Sequence, residues 1–189
     1  MKRLFTINVV ARSIILWLLF MLVMWSVFAL GWFTHQQAWN TGVEVQRETG
    51  WQVFWFILWH NLLLIALIVV GNLFVRFGSI TPGLLILAYQ AVAIGWTAGT
   101  NNFMEPFPTV GTANEAFLRI GLWETTTYVL LCAVTLTKSL YIADTFPAKE
   151  WIETRRLRDL RFSFADILLI GFGFLSLMSA AVFEAFLLK

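Results

Sequence analysis

The sequence predicts an all-α polytopic membrane bundle of about five transmembrane helices, built as a single membrane domain over residues 1–189. Three observations predict it. The chain is 59% hydrophobic and only 13% charged, with a mean hydropathy of +0.77, where an average soluble domain is roughly 25% charged. Its apolar residues gather into five stretches, each near the roughly 20 residues a helix needs to cross a bilayer. Lys and Arg fall overwhelmingly on one side of those stretches.

The first span, about residues 13–32, reads SIILWLLFMLVMWSVFALGW. It is longer than a signal-peptide core and has no convincing small-residue cleavage site, so it is expected to be retained. The second and third spans, about 53–73 and 80–99, are separated by Arg76 and a short FGS turn, which predicts a tight hairpin. The fourth, about 116–137 with an extension toward Ala143, contains LRIGLWETTTYVLL. The fifth covers about 164–188. Gly71, Gly78, Gly83, Gly95, Gly99 and the GFG at 171–173 are expected to mark close helix packing.

Orientation follows from the positive-inside rule. With the N-terminus cytoplasmic, Lys2, Arg3, Arg12, Arg76, Lys138, Lys149, Arg155, Arg156, Arg158 and Arg161 lie inside, and only Arg47, Arg119 and Lys189 lie outside. The acids Glu44, Glu48, Glu105 and Glu115 then fall outside, as does the C-terminus. The outer loop TNNFMEPFPTVGTANE, Thr100 to Glu115, suits a compact lid over the bundle. The inner loop is predicted to form an interfacial basic helix at about 147–162, opening after Pro147. Lys149, Trp151, Arg155, Arg156, Arg158 and Arg161 there are candidates for docking anionic lipid or a cytoplasmic partner. Each basic residue near an anionic leaflet contributes about 1 kcal/mol of attraction.

Ionisable groups inside a membrane are functional candidates, since insertion scales assign them about 2.5 to 3.5 kcal/mol at mid-helix. Glu124 lies roughly 12 Å inside the outer end of its span at 1.5 Å per residue. His60 sits at a similar depth in the second span, so a His60–Glu124 hydrogen-bonded pair is expected. Arg119 and Glu184 form a second candidate pair near the outer ends of their spans. Asn61, Gln90 and the hydroxyls of Thr125 to Thr127 would complete an outer-half polar cluster, although threonines also bond back to the preceding turn. Such a cluster glues helices together, lines a path, or meets another subunit. Lys138, about 21 Å along the helix from Glu124, is expected to snorkel to the inner interface.

Several function classes lose their support. The single cysteine, Cys132, excludes an intrachain disulfide, and His35 and His60 are too few for a histidine-rich metal site. A net charge of +2 gives no sign of nucleic-acid binding. Phosphate loops, HExxH zinc motifs and nucleophile elbows are missing from the sequence, so no catalytic residue and no cofactor is expected.

The run HNLLLIALIVVGNLFVRFGSITPGLLILAYQAVAIGWTAG, followed by GLWETTTYVLL and SAAVFEAFLL, resembles the stage II sporulation protein M family of bacterial membrane proteins. Asn61, Gly71, Gly78, Gly121, Glu124 and Glu184 fall on that family's pattern, over roughly residues 60–188. Two positions depart: the family's histidine before Gly121 is Ile120, and the Asn-Gly of its third span is replaced around Tyr89 and Gln90. His60 is a candidate replacement for the lost imidazole. The resemblance implies a non-enzymatic scaffold that gathers other membrane subunits, as the sporulation member does for cell-wall hydrolases. It implies a bacterial cytoplasmic membrane, or an internal membrane derived from it, and it leaves room for a homo-oligomer. Two other readings remain open: a permease subunit coupled to a cytoplasmic ATPase, and an accessory subunit of a photosynthetic or respiratory complex.

Overall fold

The computed structural model describes residues 2–39 and 49–187. Arg47, Glu44 and Glu48, together with Leu188 and Lys189, lie outside the described residues. Five helices are long and apolar enough to cross a membrane. They are α1 (Val9–Thr34), α2 (Trp51–Phe74), α3 (Pro82–Gly99), a composite fourth span, and α6 (Phe164–Val182). The fourth runs from α4 (Val110–Ala116) through a π-helical segment (Phe117–Gly121) into α5 (Leu122–Thr135). A second π-helical segment, Phe183–Leu187, continues α6.

Local sequence explains where the helices start. Asn8 accepts a hydrogen bond from the Ala11 amide at 2.8 Å, and Thr81 accepts one from Leu84 at 3.1 Å with Pro82 at the first helical position. Ser163 and Asp166 form a reciprocal capping box for α6. These caps satisfy amides that the first turn leaves unbonded. The fourth span begins earlier than the sequence predicts, and its expected extension toward Ala143 is a β-strand.

The lowest mean hydropathy of the five belongs to the fourth span, which is also the most enclosed: 56% of its window is buried, against 28% to 33% for the others. Nearly every residue from Thr127 to Thr135 is buried, with α1, α2 and α6 packed around α5. The three threonines bond back as expected, Thr125 to Gly121 at 2.7 Å, Thr126 to Leu122 at 2.6 Å and Thr127 to Trp123 at 2.9 Å. Thr127 also reaches the Gly173 carbonyl of α6 at 2.8 Å, and Trp17 of α1 donates to Thr126 at 3.0 Å. Helix α3 approaches its neighbours through glycine. A Cβ at Gly83, Gly95 or Gly99 would collide with the backbone oxygen of Ile68, Met24 or Phe28. Gly78 serves a turn instead, at φ +55°, and Gly171 has no close neighbour.

One end of the bundle carries a three-stranded sheet. β1 (Val75–Phe77) pairs in parallel with β2 (Tyr141–Ala143), which pairs antiparallel with β3 (Ile152–Glu153). The basic helix predicted at 147–162 is therefore not formed. Strand β3 and a single 3-10 turn, Leu157–Asp159, occupy that stretch. Thr154 explains part of the difference, because its amide bonds the Leu140 carbonyl at 2.8 Å and its hydroxyl bonds the Ser139 carbonyl at 2.7 Å. Lys149, Trp151, Arg156, Arg158 and Arg161 are exposed, and Arg155 is half-buried. Arg76 of β1 lies 4.6 Å over the Phe5 ring. Burial and the nearby Arg155 lower its pKa, with Asp144 acting the other way.

Lys138 does not snorkel. It is 8% exposed and its ammonium bonds Asp166 at 3.0 Å and the Arg161 carbonyl at 2.9 Å, 4.8 Å from the Phe162 ring centroid. Asp166 is held in turn by the Ser163 amide at 2.8 Å. Nearby, fully buried Asn72 donates to Thr135 at 2.9 Å and accepts from Thr81 at 2.5 Å, tying α2, α3 and α5 together.

Removing one partner of the Lys138–Asp166 pair strands the other charge. Lys138→Met is expected to destabilise by about 3 kcal/mol, and Lys138→Met with Asp166→Asn to recover much of that loss. Thermal unfolding in detergent measures both, and an unchanged single variant contradicts a buried pair.

Candidate functional site

The site lies toward the end of the bundle opposite the sheet. Its anchor is Asn61, buried on α2. The Asn61 side-chain amide donates to Glu124 Oε1 at 2.9 Å and to the Ile57 carbonyl of its own helix at 2.9 Å. Its oxygen accepts from the Tyr128 hydroxyl. Glu124 and Tyr128 are four apart on α5, so they project from one face and bracket the amide between them. All polar atoms of Asn61 are thereby used, and Glu124 is fixed through one oxygen. The carboxylate is only half-buried, and Glu124 lines a cavity.

That cavity has a volume of about 870 Å³. Its walls come from α1, α2, α3, the fourth span and the 100–109 loop, and both Glu124 and Glu184 line it. The loop acts as the expected lid: Phe103, Met104 and Phe107 face the cavity. Asn101 clasps this lid from a left-handed backbone, φ 53°, a conformation asparagine tolerates. Its side chain donates to the Ala38 and Phe107 carbonyls and accepts from the Phe107 amide, all at 2.9 Å.

Both carboxylates sit at π-helical segments, which recur where helices are adapted for function. Glu124 follows Phe117–Gly121 within one turn, and Glu184 lies inside Phe183–Leu187. At the first of these the Phe117 ring lies against Gly121, where a Cβ would stand 2.7 Å from it.

The structure unites only part of the predicted cluster. Asn61 and Glu124 bond directly, and Glu184 shares their cavity. His60 does not pair with Glu124; it is exposed, with Nδ1 2.9 Å from the Phe56 carbonyl and its ring 4.1 Å from the Phe56 ring. Adjacent helical residues point about 100° apart, so Asn61 facing the bundle turns His60 outward. Gln90 is half-buried on α3, and no hydrogen bond joins it to Asn61, Glu124 or Tyr128 among the described residues. Arg119 ion-pairs with Glu115 one turn earlier, not with Glu184, and its guanidinium lies 5.8 Å over the Phe183 ring. Tyr128 was not anticipated, although its four-residue spacing from Glu124 was the available signal. No group of three or more His, Cys, Asp or Glu among the described residues could hold a metal ion.

Asn61→Leu removes the donor to Glu124 and the acceptor of Tyr128 together. It is expected to destabilise by about 2 kcal/mol, against about 1 kcal/mol for Tyr128→Phe, which leaves the Asn61–Glu124 bond intact. Reversible unfolding in mixed micelles gives the ranking, and equal losses would contradict it.

Comparison with protein-family models, with curated proteins and with solved structures finds no match to this chain, so the likeness to the sporulation family rests on sequence motifs alone.

Proposed function

We propose that this chain is a non-enzymatic integral membrane subunit that takes up an apolar small molecule in the cavity beneath the 100–109 lid. This is the permease-like reading. The observation that carries it is the cavity of about 870 Å³ faced by a carboxylate fixed from behind. Small-molecule sites commonly occupy roughly 300–1,000 Å³ and place a few polar groups in mainly apolar walls. A carboxylate serving only as glue would have both oxygens partnered, and Glu124 uses one of its two on Asn61.

The arrangement of Lys and Arg supports placing the sheet end in the cytoplasm and the lid on the outer side of a bacterial cytoplasmic membrane. Arg156, Arg158 and Arg161, exposed at the sheet end, are then suited to anionic headgroups or to a cytoplasmic ATPase.

A second reading, a scaffold that assembles with other membrane subunits, draws on one observation. Trp51, Trp55 and Trp59 line one face of α2 and are 66%, 61% and 61% exposed. Eight residues of helix carry that stripe roughly 12 Å along the axis, deeper than an interfacial aromatic belt requires.

The cavity reading is tested with protein in phosphatidylcholine nanodiscs, by the fluorescence of N-phenyl-1-naphthylamine above protein-free nanodiscs. Ala98 lines the cavity, so Ala98→Trp fills it and is expected to weaken binding about tenfold, or about 1.4 kcal/mol. A native signal no greater than that of empty nanodiscs defeats the reading. For the scaffold reading, Trp55→Leu with Trp59→Leu is expected to abolish co-purification of membrane partners, and unchanged recovery rejects the stripe as an interface.

A further inference from the structure

We propose that the cavity selects organic cations, molecules with an ammonium or phosphonium centre on an apolar body, with Glu124 as the counter-charge. This rests on the cavity reading above and adds the charge of the ligand to it.

Two independent features of the lining carry the inference. The first is charge: Glu124, Glu184 and Glu105 line the cavity, and no Lys, Arg or His does so among the described residues. An anionic guest would meet like charge in a poorly solvated space, and a neutral apolar guest would strip water from the open carboxylate oxygen without replacing it. A cation supplies that partner, and a charge-assisted contact is stronger than a neutral one.

The second is the wall facing the carboxylates. Trp25, Phe28, Phe56, Phe103, Phe107 and Phe117 contribute six aromatic rings. Trp25 organises three of them, edge-to-face with Phe28 at 5.2 Å and with Phe117 at 5.4 Å. Aromatic faces attract cations through their quadrupole and accept the apolar body of the same molecule. Methionines 24 and 104 add polarizable, adaptable surface. Aromatic rings and carboxylates around one chamber match a guest that is greasy and positive at once.

The fastening of Glu124 gives the carboxylate a role in choosing its guest. Asn61 holds Oε1 at 2.9 Å, so the charge is positioned before any ligand arrives, which limits the ordering cost of binding.

The experiment uses the full chain in phosphatidylcholine nanodiscs, with tritiated tetraphenylphosphonium measured by equilibrium dialysis and tetraphenylborate as the anion of the same shape. Tetraphenylphosphonium is expected to bind above empty nanodiscs and to displace N-phenyl-1-naphthylamine, while tetraphenylborate does neither. Glu124→Gln, whose amide oxygen can still accept from Asn61, is expected to weaken tetraphenylphosphonium about tenfold and leave N-phenyl-1-naphthylamine within about twofold. Glu124→Asp, which keeps the charge, is expected to retain cation binding. If the neutral probe binds and both ions compete equally, or Glu124→Gln binds the cation unchanged, the charge preference is overturned and the cavity reading stands. If neither the neutral probe nor the cation binds above empty nanodiscs, both fall together.

Discussion

Lipid offers no hydrogen-bond partners, so every polar side chain that enters this bundle must be satisfied by another part of the protein. That constraint decides which helix stands at the centre. The fourth span carries Glu124, three successive threonines, Tyr128 and Thr135, and it is the most enclosed of the five. The more apolar spans surround it and present Leu, Val, Phe and Trp outward. Ranked by hydropathy alone, α5 would be the weakest candidate for a membrane core. Ranked by the need for partners, it belongs there.

Two amides on α2 do most of the fastening. Asn61 meets α5 near the lid, and Asn72 meets α5 and Thr81 near the sheet. They are eleven residues apart, three turns of helix, so both face the same neighbour. Between them the contact is apolar, through Ile65 and Ile68 of α2 and residues such as Val129 and Cys132 of α5. The register of α2 against α5 is thus pinned at both ends by directional bonds and filled between them by packing. Glycines do the corresponding work for α3, admitting it to backbone contact with α1 and α2.

Hydropathy alone made the spans legible, because length and apolar composition are local properties of the chain. The tight turn at Gly78, the lid and the back-bonded threonines were legible for the same reason. Half of the site was too: Asn61, Glu124 and Glu184 stand out as polar residues in apolar surroundings. Depth along a helix is readable from sequence, but azimuth is harder, and that is why His60 looked interchangeable with Asn61. Lys138 looked like a terminal residue free to reach headgroups, because its partner Asp166 lies 28 residues on. The predicted helix at 147–162 failed for a related reason. Pro147 and the charges after it are local helix signals, whereas the pairing that wins joins β3 to β2, and β2 to β1 from the other side of α3.

The π-helical segment between α4 and α5 has a consequence for how the molecule can change. An α-helix fixes the angle between any two of its residues, so altering the packing of one end turns the other. A turn of wider pitch breaks that link. The half of the span beneath the lid and the half embedded among α1, α2 and α6 keep separate angular settings, joined where the Phe117 ring covers Gly121. Substitutions that reshape the chamber can therefore accumulate in α4 and the lid without rotating the central helix. The protein combines a conservative axle with a mouth that is free to diverge.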